Sequence, residues 1–76
     1  MEIQTEQIKI TTEFIKLQQL LKFSGAADIG SEAKDMVASG IVKVNGKVCT
    51  MRGKKLRPGD VAEVCAEDIT LRLEVV

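Results

Sequence analysis

Histidine, tryptophan and tyrosine are absent from this 76-residue chain, and phenylalanine occurs only at Phe14 and Phe23. Without histidine, the side chain that most often moves protons near neutral pH is missing, and with it the usual serine–histidine and cysteine–histidine nucleophile pairs. Nucleophile elbow, phosphate loop and metal-ligand cluster are lacking too. The chain is therefore expected not to be an enzyme, and to use no cofactor, metal or small-molecule substrate. Scarce aromatics argue against a platform on which successive bases of a single strand stack. Both phenylalanines fall on or near the first helix and are expected in the core. The two cysteines, Cys49 and Cys65, form no CxxC pair and are too few for a zinc site. They are expected as reduced, mostly buried thiols rather than a disulfide. No apolar run approaches the roughly 18 residues of a membrane span. The opening Met1-Glu2-Ile3-Gln4 has neither the basic region nor the apolar run of a signal peptide, so a cytoplasmic location is expected.

What is present suits one small globular domain. Apolar residues make up 45% of the chain and charged residues 29%, which is folded rather than disordered composition. A domain this short buries only about 60% of the surface its unfolded chain exposes, leaving a thin core and little room for a deep cleft.

Periodicity gives an ordered set of elements. Ile3 to Ile10 suits a short strand, with Ile8-Lys9-Ile10 alternating. Thr11 or Thr12 is expected to cap a helix over Glu13 to Phe23, with Phe14, Leu17, Leu20 and Leu21 at helical spacing and Gly25 in the left-handed position beyond it. Ala26 to Gly30 connects. Ser31 is expected as the N-cap of a second helix carrying Ala33, Met36 and Val37 on one stripe and ending at Gly40. Ile41 to Val44 and Lys47 to Cys49 then form a hairpin around Asn45-Gly46, the pair a type I′ turn prefers. Thr50 to Leu56 is basic and extended or looped. Arg57-Pro58-Gly59-Asp60 fits a type II turn. Val61 to Ala66 and Ile69 to Val76 alternate as strands around a turn at Glu67-Asp68. The fold class is α+β, two short packed helices with a small antiparallel sheet and a β-hairpin.

Charge is balanced in total, with 11 basic and 11 acidic residues, but not in position. The segment Lys43 to Arg57 holds Lys43, Lys47, Arg52, Lys54, Lys55 and Arg57 with no acidic residue, a block of +6. The segments before Lys16 and after Arg57 carry −2 and −4, and the stretch between Lys16 and Val42 cancels. A polyanion such as nucleic acid is the usual partner of so concentrated a patch, although a solvated hairpin has the same composition. Asp28, Glu32 and Asp35 do not make a catalytic site, because Glu32 complements the helix dipole and Asp35 lies on an exposed face.

The pattern Lys16-Leu17 with Leu20-Leu21, Ser31-Glu32-Ala33-Lys34, Gly40 to Val48 and Arg57-Pro58-Gly59-Asp60-Val61 resembles a known RNA-binding domain. This is the one first known in the fourth protein of the small ribosomal subunit, found also in pseudouridine synthases, bacterial tyrosyl-tRNA synthetases and a small ribosome-associated heat-shock protein. The resemblance implies an alpha-L RNA-binding motif over residues 16–64, preceded by an additional strand at 3–10, in one RNA-binding domain spanning 1–76. It implies RNA contacts at Lys16, Lys34, Lys43, Asn45 and Lys47, and the basic loop adds Arg52, Lys54, Lys55 and Arg57. Gln18 stands where many members have Asp. Gly30 stands where many have Arg, which removes one expected phosphate contact that the loop cations replace. The implied role is a stand-alone bacterial module for structured ribosomal or transfer RNA. Two other readings stay open: a protein-interaction module whose basic face meets an acidic protein, and an accessory subunit of an RNA-modifying enzyme.

Overall fold

The computed structural model describes residues 2–27, 30–66 and 68–76. In chain order the elements are β1 (Glu2–Ile8), β2 (Ile15–Lys16), α1 (Leu17–Phe23), α2 (Gly30–Ala38), β3 (Val42–Val44), β4 (Lys47–Val48), β5 (Lys55–Leu56), β6 (Val61–Cys65) and β7 (Ile69–Val75). The larger sheet has the order β1-β7-β6-β3-β4, and β2 pairs with β5 apart from it. The α+β class is the one the sequence predicts. The sheet, however, is mixed and not wholly antiparallel: β1 runs parallel to β7, from Glu2 opposite Ile69 to Ile8 opposite Val75. Alternation decides which face a side chain takes and carries no information about strand direction.

The core lies between the helices and one sheet face. Leu17, Leu20 and Leu21 of α1 and Ala33 and Val37 of α2 are buried against Val42, Val44, Ala62, Val64, Leu73 and Val75. Cross-strand register places Val44 opposite Ala62 and Ala62 opposite Leu73, making a continuous apolar row. The other face carries Lys43 opposite Glu63 and Glu63 opposite Arg72. In β1 only Ile8 is buried, so most of that strand extends past the core as an edge. Cys49 and Cys65 are free and half-buried.

Helix α1 begins four residues later than the helical spacing predicts. The Thr12 hydroxyl donates to the Phe14 carbonyl at 2.8 Å, closing a turn instead of capping a helix. Ile15 and Lys16 then pair antiparallel with Leu56 and Lys55. The first turn of α1 has N–H groups with no partner inside the helix, and the basic loop supplies acceptors. Leu17 N–H donates to the Lys54 carbonyl at 2.8 Å, and Gln18 N–H to the Arg52 carbonyl at 3.0 Å. Lys16 N–H donates to the Gln19 side chain at 3.2 Å. At the other end Gly25 takes φ +84°, as expected of the residue beyond a helix. Ser31 sits inside the first turn of α2, which already starts at Gly30, and is not its cap. Of the connector before α2, Asp28 and Ile29 lie outside the described residues, as does Glu67 of the turn expected at Glu67-Asp68.

Two turns lock to each other. Asn45 and Gly46 both have positive φ, 51° and 86°, as a type I′ turn requires. The Asn45 side chain donates to Asp60 Oδ1 at 3.2 Å and accepts from Val61 N–H at 3.0 Å. Asp60 closes the Arg57–Asp60 turn with its own N–H to the Arg57 carbonyl at 2.9 Å, and its Oδ2 accepts Arg57 N–H at 2.8 Å. The Arg57 N–H, then the Asn45 amide, hold the Asp60 carboxyl below its ordinary value of 3.8, against a small opposing effect of burial and with help from the charges of Lys54 and Arg57. A carboxyl whose pKa is lowered by folding adds stability that is present above its unfolded pKa of about 3.9 and lost as pH falls through the folded value. Asp60→Asn is accordingly expected to lower the thermal midpoint at neutral pH, with the gap to wild type narrowing below about pH 4. A gap constant across an acid titration would show that the carboxylate charge contributes nothing to the lock.

Candidate nucleic-acid interface

The pairing of β2 with β5 and the carbonyl contacts of the loop bind residues 50–56 to the start of α1. The result gathers Lys16, Arg52, Lys54 and Lys55, all exposed, at one end of the helix. Lys16 and Lys55 are directly opposite in the pair. Like charges in that position are destabilising, so the fold holds a repulsion that a bound anion would relieve. The Lys55 ammonium lies 4.8 Å from the centroid of the Phe14 ring, an attraction of about 0.5–1 kcal/mol at an exposed site. Phe14 is half-buried and thus serves as the seat of a lysine, not as core.

A groove of about 560 Å³ continues the surface, lined by Val44, Asn45, Lys47, Val48, Cys49, Thr50, Met51 and Lys54. It brings Lys47 of the hairpin and Lys54 of the loop to one depression, with Val48 and Met51 exposed between them. Among the described residues the ion pair within 4.0 Å is Arg72 with Glu74 at 3.3 Å. None of the nine basic and polar residues predicted to contact RNA is engaged in it.

The remaining predicted residues are placed differently. Lys43 is on the outer sheet face opposite Glu63, away from the helices, and its field is partly offset there. Lys34 is exposed on α2, whose Ala33 and Val37 face the core. Asn45 spends one amide hydrogen and its side-chain oxygen on the turn lock. The Arg57 side chain is exposed, next to the Asp60 carboxylate that its own N–H binds. Periodicity did not single out Val48 and Met51 in the groove. Phe23, expected in the core because it lies on the first helix, is instead 69% exposed.

Comparison with known proteins shows what the chain is similar to. The S4 domain family model matches residues 8–72. A probable ribosome maturation protein of Bacillus subtilis (strain 168), RlbA, is 40% identical to the chain over 57 residues, which cover 75% of this chain and 80% of that protein.

Proposed function

This chain belongs to the S4 domain family, and on that premise we propose that it binds folded ribosomal RNA during ribosome maturation, by contact alone and without chemistry of its own. The observation that carries the reading is the group of lysines and arginine at the start of α1, fixed by backbone hydrogen bonds from the loop and holding no counter-ion among the described residues. Its likeness to a probable ribosome maturation protein supports the ribosomal target over transfer RNA.

Lysine and arginine that neutralise phosphates release condensed counterions, so affinity follows salt. If five or six of the basic groups engage, log K falls against log salt with a slope of about −4 to −5. A double-helical RNA presents a deep, narrow major groove that side chains cannot read, so recognition rests on backbone and shape. Cations on rigid elements suit that task better than cations on a loose loop, because less ordering is required on binding.

The test is binding of the pure protein to a folded ribosomal RNA fragment and to an unstructured strand of equal length across a salt series. Preferential, salt-steep binding to the folded fragment is the expected result. Equal binding to both, or none at low salt, would overturn it. The apolar Val48 and Met51 between Lys47 and Lys54 favour one second reading, an acidic protein segment in the groove. Capture of such a segment, with RNA retention absent, would establish that reading instead.

A further inference from the structure

Of the two aromatic rings in the chain, one is committed and one is free. Phe14 carries the Lys55 ammonium. Phe23, in the last turn of α1, is 69% exposed. The buried side of that helix is already complete with Leu17, Leu20 and Leu21, so the fold does not use the Phe23 ring. Single exposed aliphatics are ordinary on protein surfaces. An exposed ring in a defined polar setting is a different case.

The setting comes from helical spacing. Gln19 and Phe23 are four residues apart and so are neighbours on the helix surface, and Lys16 is three residues before Gln19. Gln19, Lys22 and Phe23 line a shallow depression of about 300 Å³. Beyond the ring the chain turns at Gly25, where a Cβ would meet nothing within 4 Å, so the approach is open. Along the helix, at 1.5 Å per residue, Phe23 lies about 10 Å from Lys16 and the basic group around it.

We infer that this depression is a subsite for one unpaired base of the bound RNA, stacked on the face of Phe23. The inference rests on the RNA-binding reading above and adds a base-specific element to a surface otherwise suited to phosphates. Each neighbour has a part. The ring supplies a stacking face, which any base can use. The Gln19 amide offers both a donor and an acceptor to a base edge, and its oxygen is partly engaged by Lys16 N–H. Lys22 lines the depression beside the ring and meets the phosphate next to the stacked base, while Lys16, two turns back along the helix, meets one farther along the strand. The target is therefore a folded RNA with a bulged or terminal unpaired nucleotide next to a helix, not a continuous single strand, for which one ring is too few.

The test uses hairpin RNAs that are fully paired, and a set in which one unpaired adenine is moved along the stem. Wild type is expected to prefer one or more members of the set over the paired hairpin. Phe23→Ala should erase that preference, a loss of roughly five- to a hundred-fold, and leave affinity for the paired hairpin within about two-fold. Phe23→Trp, which keeps a stacking face, should retain the preference. A Phe23→Ala loss equal on both kinds of RNA, or no preference in wild type that binds the paired hairpin, overturns the subsite and leaves the RNA-binding reading standing. Failure of wild type to bind any hairpin overturns both. Because Phe23 is exposed, the variant should fold, and its thermal midpoint shows whether it has.

Discussion

Lys16→Glu combined with Lys47→Glu is expected to weaken binding to folded RNA at least about a hundred-fold while the protein stays folded. Each lysine that contacts phosphate accounts for about one unit of the salt slope, so the slope should fall from about −4 to −5 to about −2 to −3. The two positions sample both halves of the surface, Lys16 at the start of α1 and Lys47 in the hairpin groove. Stability should be preserved because both side chains are exposed, where substitutions usually change stability by less than about 0.5 kcal/mol. At position 16 the sign is favourable: glutamate opposite Lys55 replaces a cross-strand repulsion with an attraction. The variant therefore separates binding from folding. A salt series and a thermal melt on the same sample check it, and an unchanged slope would mean that neither lysine meets phosphate.

Leu56→Ala should have the largest effect on the fold itself while altering no charge. Leu56 is fully buried and lies opposite Ile15 in the β2–β5 pair. Truncating a buried leucine costs about 2–5 kcal/mol, and a domain of this length has a total stability of only about 4–11 kcal/mol. The expected signature is local as well as global. Leu17 and Gln18 amides donate to loop carbonyls at Lys54 and Arg52, and loosening β5 should speed their hydrogen exchange ahead of amides in β6. RNA affinity should then fall even where the domain remains folded, because Arg52, Lys54 and Lys55 are no longer held. If those two amides stay as protected as the sheet, Leu56 is only a core residue and does not pin the cationic loop.

Much of this architecture was legible because local chemistry and final structure agree. Asn45-Gly46 specifies its turn through two positive φ values, Gly25 and Gly59 take the left-handed positions assigned to them, and β6 alternates as it reads. Errors arose where distant residues decided local structure. Phe14 fits the helical stripe and Ile15 falls within the helix that stripe predicts, yet Ile15 is drawn into an extended pair by Leu56, and no periodicity near residue 15 reports a partner near residue 56. The parallel direction of β1 is hidden for the same reason. The basic segment was visible as composition, but composition did not divide it. Lys54 and Lys55 sit by α1, whereas Lys43, in the same run, faces Glu63 on the other side of the sheet. An aromatic ring on the first helix reads as core, and only packing shows that Leu17, Leu20 and Leu21 complete the buried side and leave Phe23 outside it.

The position of β7 gives the order of assembly a direction in time. It is the last strand in sequence, yet it stands between β1 and β6 in the sheet. While the polypeptide is being made, β1 waits for a partner 67 residues farther along, from Glu2 to Ile69. Neighbouring contacts, such as the β3–β4 hairpin and the α1–α2 pair, can form in the interval, and the long-range β1–β7 pairing follows them. A product cut short before residue 69 would still carry every cation of the interface, but it would lack β7, and Ile3 and Ile8 would be left without the strand that orders them.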